Sequence, residues 1–225
     1  MKSIAIFDID GVIYDGHSIF DLIQDQENKG FIETGLWDSI LEHLEKYKKG
    51  ELTYKETADT MLLEYSSSLK GEKYDDVVDY NLDFIKRSSK KIFPYFKSLV
   101  SDLEKTHDIY FVTTNFDFTA EAFTKYFDLN GFLSSKVKQN NGVIQEGLEL
   151  SLGGNKGIVT DLIDKYGFSG SIAVGDSEND IDMLEKVENP LVMEPDDKLK
   201  DIALSRKWTI VDRNTISDTI FAFLT

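Results

Sequence analysis

The chain opens on a compact apolar run, Ile4-Ala5-Ile6-Phe7, that stops abruptly at Asp8-Ile9-Asp10-Gly11-Val12. Residues 3–9 read as a short buried strand, because an unbroken apolar run suits a sheet covered on both faces. From about Gly16 to Lys91 the apolar spacing turns helical. Phe20, Leu22 and Ile23 begin one segment, and Leu36, Ile40, Leu41 and Leu44 make a second. Thr53 with Glu56 has the form of a capping box and leads into Met61, Leu62 and Tyr65. Val77, Val78, Leu82, Phe84 and Ile85 mark a fourth segment. This stretch predicts four helices and no strand.

After Pro94 the period alternates. A helix is expected over 95–105, a strand over Ile109–Thr113 and a helix over 118–128. A strand pair around 132–150 turns at Asn140-Asn141-Gly142. Helix 156–166, strand 171–175, helix 179–187, strand 190–193, helix 197–205, strand 208–212 and helix 214–224 follow. Alternating strands and helices predict an α/β fold with a Rossmann-like parallel sheet. Its core would comprise residues 1–14 and 93–225, with an all-helical insertion over 15–92 directly after the first strand.

Two strands end in carboxylates: the first at Asp8, and Ala173-Val174-Gly175 at Asp176-Ser177-Glu178-Asn179-Asp180. In open parallel sheets ligands bind beyond the carboxyl ends of the strands, and buried carboxylates are costly unless paired or metal-bound. Either motif alone is more often a turn or a helix cap. Together they point to one shared metal and phosphate site. Asp8 is placed to attack a phosphoryl group. Asp10 is placed to protonate the leaving alkoxide and then to deprotonate water. Asp176 would complete an oxygen cage for Mg²⁺. Asp180 and Asn179 would support the metal from behind. Thr113 ends its strand where a hydroxyl can meet a phosphate oxygen, and Lys156 opens a helix where its ammonium and the helix terminus both favour an anion.

Other chemistries do not fit. Neither acidic motif has the Gly and Glu that an EF-hand loop requires. There is no complete phosphate-binding GxxxxGK[ST] loop and no GxSxG elbow, and His17, His43 and His107 lack metal-site spacing. His43 and His107 read as surface or helix-end residues, whereas His17 lies close to the acidic pair. Among 225 residues there is no cysteine, so disulfides and Cys-based zinc sites are excluded. The net charge of -16, without a basic block, argues against nucleic acid as partner. No apolar run is long enough for a membrane span, and Asp8 and Asp10 interrupt the one near the N-terminus that a signal peptide would need. The expected location is the cytoplasm.

In these residues the chain resembles the haloacid dehalogenase-like phosphohydrolases, most closely their phosphoserine-phosphatase-like subgroup. Asp8-Ile9-Asp10-Gly11-Val12, Val112-Thr113, Lys156-Gly157 and Gly175-Asp176-Ser177-Glu178-Asn179-Asp180 stand in the order of that family's signatures. The resemblance implies that Asp8 is nucleophile and metal ligand. It also implies that Asp10 is the acid/base with its backbone carbonyl on Mg²⁺, and that Asp176 ligates the metal. Thr113 and Lys156 would hold phosphate, Asn179 and Asp180 would support metal and phosphate, and the insertion would be a helical cap domain. The implied activity is that of a Mg²⁺-dependent phosphomonoester phosphatase acting on a small phosphorylated metabolite through an aspartyl-phosphate. A phosphotransferase on the same fold and a non-catalytic binding or regulatory protein are the alternatives. His17 stands where that subgroup carries a substrate-reading Glu, and Asp59 falls near its substrate-reading Arg. Phosphoserine is therefore not the expected substrate. Phe20, Phe31 and Trp37 are candidate pocket walls in the cap, although large apolar side chains more often simply pack inside.

Overall fold

A computed structural model describes residues 2–224. Strand β1 (Ser3–Phe7) is followed by helices α1 (Ser18–Asn28), α2 (Leu36–Lys48), α3 (Tyr54–Ser68) and α4 (Tyr74–Arg87). Then come α5 (Pro94–Leu103), β2 (His107–Phe116), α6 (Asp117–Phe127) and the hairpin β3 (Gly131–Asn140) and β4 (Val143–Leu150). The chain finishes with α7 (Thr160–Tyr166), β5 (Ile172–Gly175), α8 (Ile181–Leu184), β6 (Asn189–Met193), α9 (Asp197–Arg206), β7 (Thr209–Val211) and α10 (Ile216–Phe223). The strands form one sheet in the order β4-β3-β2-β1-β5-β6-β7. All neighbours pair in parallel except β3 and β4, whose tight turn at Asn141 and Gly142 uses positive φ at both residues. The fold is the expected α/β, Rossmann-like arrangement.

β1 lies at the centre and is buried on both faces. Ala5 and Phe7 face a large core shared with α5, α6, α10 and the inserted helices, while Ile4 and Ile6 face a second core with α8 and α9. Phe96 of α5 anchors the first core, its ring 5.1 Å from Phe7, 5.7 Å from Phe111 and 4.9 Å from Phe127. Aromatic clusters of this kind add specific edge-to-face attraction to simple burial.

The inserted helices α1–α4 leave and rejoin the sheet at one point. Asp15 N–H donates to the Lys91 carbonyl (2.7 Å) and Phe93 N–H to the Ile13 carbonyl (2.9 Å). The Thr53 capping box forms as the sequence predicts, with both reciprocal bonds present. The insertion also docks firmly on the rest of the chain. Its main chain bonds to the hairpin through Gly71 to Ile144 (3.0 Å), Tyr74 to Gly142 (2.9 Å) and Ile144 to Glu72 (2.9 Å). A buried polar chain runs from Tyr65 through Gln26 and Asn81 to Thr119, linking α3, α1, α4 and α6. Buried polar groups that are paired in this way fix one packing arrangement.

Four details differ from the sequence reading. β2 runs on to Phe116, and its pairing with β3 slips between Thr113 and Phe116. Lys156 lies in a 3₁₀ turn (Lys156–Val159), and α7 begins only at Thr160. The helix expected over 179–187 is a 3₁₀ turn (Glu178–Asp180) followed by the short α8, because Asp180 folds back to bond Ser177 and tightens the turn. His43 and His107 are not simple surface residues. His43 is half-buried against Glu64 (2.8 Å) between α2 and α3. His107 is buried at the start of β2, its ring 2.9 Å from the Gly170 carbonyl, and burial holds its pKa below the usual value. Among the described residues no helix is long and apolar enough to cross a membrane.

Candidate active site

Asp8 leaves the C-terminal end of β1, and the chain then makes a single turn in which Ile13 and Tyr14 N–H both donate to the Ile9 carbonyl (2.8 and 2.9 Å). Asp8 is 6% exposed. Its Oδ1 accepts from Ile9 N–H (2.8 Å) and from the Lys156 ammonium (2.9 Å). Lys156 is fully buried and also donates to Asp180 Oδ1 (2.6 Å). The other oxygen of Asp180 accepts from the backbone of Asp176 and Ser177 (both 3.0 Å) and from the Ser177 hydroxyl (3.1 Å). Asp180 therefore orients Lys156 and the β5 loop, with both oxygens already engaged.

Oxygens of Asp8, Asp176 and Asp180 lie within 4.8 Å of one another. Such an all-oxygen set suits a hard cation. Since Asp180 is spent on Lys156 and the loop, Asp8 and Asp176 are the carboxylates placed to ligate. The charges point the same way. Burial pushes the Asp8 carboxyl up to about 7, with Lys156 pulling it down and Asp180 and Asp10 adding repulsion. Burial, then Asp180 and Asp8, push Asp176 up to about 9. Burial alone would lower Lys156, yet Asp180 and Asp8 hold it above its ordinary value. One lysine leaves three of the four charges of Asp8, Asp10, Asp176 and Asp180 uncompensated, and a divalent cation would offset two more.

Two glycines make this crowding possible. Gly11 has φ +74, and a Cβ there would lie 1.8 Å from Asp176 Oδ2. A Cβ on Gly175 would lie 2.4 Å from Asp180 Cβ. Gly11→Ala is expected to displace the Asp176 carboxylate and weaken Mg²⁺ binding by roughly 10–100-fold. Titration calorimetry with Mg²⁺ checks this, and unchanged affinity would mean that Asp176 does not bind the ion.

The Asp10 carboxylate turns away from this trio. Oδ1 accepts from Ser18 N–H at the start of α1 (2.8 Å) and Oδ2 from the Asn115 amide (3.3 Å), which also donates to the Ser18 hydroxyl (3.0 Å). Burial raises its pKa, against the lowering effect of these bonds and of His17. The slipped stretch of β2 supplies Thr113, Thr114 and Asn115 together. Thr113 Oγ1 accepts from Asn115 N–H (3.2 Å), which leaves its own O–H free to donate. Thr114 accepts from the Asn179 amide (3.0 Å) and meets the Tyr54 hydroxyl of α3 (3.4 Å). Asn179 also accepts from Gly154 N–H (2.6 Å), so its amide ties β2 and two loops together behind the site.

A cavity of about 400 Å³ joins these groups. Asp8, Asp10, Thr113, Lys156 and Asp176 line it, whereas Asn179 and Asp180 do not. Of the three proposed wall aromatics only Phe20 lines the cavity. Trp37 packs behind Phe20 (5.6 Å) and Phe31 on Tyr80 (4.3 Å). His17 also lines it, its ring edge-on to Phe20 at 5.0 Å. Asp59 is engaged elsewhere, by Lys55 (2.6 Å) and by the Ser151 hydroxyl. Ser18, Tyr54, Thr114 and Asn115 were missed from sequence. The polar run Thr113-Thr114-Asn115 was the available signal for two of them.

The pKa directions set a pH dependence for the metal-free protein. Asp8 and Asp176 go from an ordinary 3.8 to about 7 and about 9 on folding, so over those ranges the folded state holds more protons than the unfolded. Stability then falls as pH rises from about 4 to about 9. Asp117, pushed up to about 6 by burial, adds to the early part of that fall. A Mg²⁺ ion held by the first two would replace their protons, so its stabilising shift in melting temperature is expected to grow with pH. Melting curves across that range with and without Mg²⁺ measure it, and a pH-independent shift would contradict the placement.

The fold matches known proteins. The sequence matches the haloacid dehalogenase-like hydrolase family over residues 2–188, and the chain belongs to that family. No curated protein matches it in sequence. Among solved structures it is similar to a protein of unknown function from Bordetella pertussis Tohama I. That likeness has TM-score 0.78 and 20% identity, and covers 95% of this chain and 99% of that one. It is also similar to a phosphoserine phosphohydrolase-like protein from Francisella tularensis subsp. tularensis SCHU S4 (TM-score 0.65, 18% identity, 97% and 98% covered). A phosphoserine phosphatase captured as its phospho-aspartyl intermediate analogue gives TM-score 0.61 and 17% identity, with 94% and 93% covered. At these identities the likeness establishes the shared fold.

Proposed function

We propose that this hydrolase is a Mg²⁺-dependent phosphatase that cleaves a small phosphomonoester through an aspartyl-phosphate on Asp8. The observation that carries the reading is a buried carboxylate at the end of the central strand, held by Lys156 and opening into a cavity. Asp8 Oδ1 is occupied by two donors, so Oδ2 attacks phosphorus. As the Oδ2–P bond forms, the P–O bond to the alcohol breaks. Asp10, whose pKa burial raises, gives its proton to the leaving oxygen. The resulting Asp10 carboxylate then takes a proton from water. That water attacks phosphorus, the Oδ2–P bond breaks, and phosphate leaves with Asp8 restored.

Thr113 donates its hydroxyl proton to a phosphate oxygen, and Lys156 supplies positive charge beside the attacking carboxylate. Asp8, Asp176 and the Asp10 carbonyl would hold Mg²⁺, which would offset the repulsion between carboxylate and phosphate. Residues 15–92 act as a cap that excludes bulk water from the cavity. The similar folds include phosphoserine phosphatases, which supports phosphate-ester chemistry on this scaffold. The direct test is release of inorganic phosphate from an aryl phosphate, with Mg²⁺ and after chelation. Equal rates in both would remove the metal from the reading.

A further inference from the structure

We propose that the cavity is built for a phosphomonoester whose alcohol part is uncharged and apolar, either an aromatic ring or a short aliphatic chain. This rests on the phosphatase reading above. The cavity has two chemically distinct ends. The phosphate end carries Asp8, Asp10, Thr113, Lys156 and Asp176. The wall from the inserted helices presents Ile19, Phe20, Leu44, Tyr47 and Met61, while Tyr54 reaches the phosphate end through Thr114. Its polar side chains are few. The Thr57 hydroxyl is spent on the Thr53 carbonyl (2.9 Å), the Tyr54 hydroxyl faces Thr114, Tyr47 offers one hydroxyl and His17 one imidazole.

The cations are the deciding feature. Lys156 is the sole lysine or arginine among the described residues that line the cavity, and Asp8 and Asp180 already hold it. The other charged groups in the lining, Glu178 and Asp196, are acidic. Glu178 is paired with Lys198, and Asp196 caps α9 through Leu199 N–H (2.8 Å). A substrate carboxylate or second phosphate at this end would lose its hydration with no lysine or arginine to receive it, and with only the exposed His17 imidazole nearby. An aromatic or aliphatic group would instead gain contact with Phe20, Leu44 and Met61, and the flexible thioether tolerates varied shapes. The 400 Å³ volume lies near the lower end of the range of about 300–1,000 Å³ for small-molecule sites, so the alcohol part is small.

The test compares hexyl phosphate and benzyl phosphate with O-phosphoserine and a hexose phosphate, all with Mg²⁺, by kcat/KM. Binding of hexylphosphonate and phosphonoalanine is measured in parallel by calorimetry. The apolar esters are expected to lead by about 100-fold or more, since each buried methylene contributes roughly 10-fold or more. Hexylphosphonate is expected to bind correspondingly tighter. Leu44→Arg, at a half-buried wall position, should lower turnover of hexyl phosphate and raise that of phosphoserine. Leu44→Ala should do only the first. Tighter binding of hexylphosphonate without turnover of any ester would uphold the pocket assignment and defeat the phosphatase reading. Equal or better turnover of phosphoserine or the hexose phosphate would overturn the substrate class and leave the phosphatase reading standing. No binding of either phosphonate would overturn the substrate class as well.

Discussion

Asp8→Asn is expected to lower phosphate-ester turnover by about 10⁴-fold or more, because it removes the attacking oxygen itself rather than a group that assists it. The same change should leave the fold intact and the metal-free protein at least as stable as wild type near pH 8. Asp8 sits among Asp10, Asp176 and Asp180, and burial and their repulsion raise its pKa to about 7. Replacing that carboxylate with a neutral group of the same shape relieves a cost that the native site carries for the sake of chemistry. Lys156 keeps Asp180 as its partner (2.6 Å), so no buried cation is stranded. Turnover and thermal melting on one preparation measure both halves. Substantial turnover in the purified variant would remove Asp8 from its role. A large loss of melting temperature with Mg²⁺ absent would contradict the charge balance.

Lys156→Ala should act in the opposite sense on stability. It leaves Asp8 and Asp180 buried without their shared counter-charge, the situation in which breaking an ion pair costs about 3–5 kcal/mol. That is a large part of the roughly 5–15 kcal/mol by which a domain is stable. The loss should shrink as pH falls, since protonating Asp8 removes one of the stranded charges, and the same logic predicts partial rescue by adding Asp8→Asn. Urea unfolding of the two single variants and the double variant closes the cycle. If the double variant is no more stable than Lys156→Ala, the ion pair is not what the lysine contributes. Activity should be lost in every variant that lacks either residue.

Much of this was legible in the sequence because it rests on local signals. Apolar runs that end in Asp8 and Asp176 locate strand ends, and the sheet then brings them side by side through the β1–β5 pairing. The helical period and the Thr53 capping box outline the insertion. What sequence reasoning missed depends on register and side-chain direction. Asn115 enters the site only because β2 slips against β3, and apolar periodicity carries no trace of such a slip. Asn179 reads as a phosphate contact, yet its amide turns to Gly154 and Thr114. His107 reads as polar and hence peripheral, but its ring finds a backbone carbonyl and stays buried.

The point where the insertion leaves and rejoins the sheet has a consequence for how such a chain can diverge. Because Ile13 and Asp15 lie hydrogen-bonded to Phe93 and Lys91, the whole stretch between them begins and ends in one place. A residue gained or lost within it can be absorbed there without pulling on the strand that carries Asp8. The wall of Phe20, Leu44 and Met61 belongs to that stretch, while Asp8, Thr113, Lys156 and Asp176 lie outside it. Inherited changes can therefore reshape that wall while the buried carboxylates and their lysine stay under separate selection.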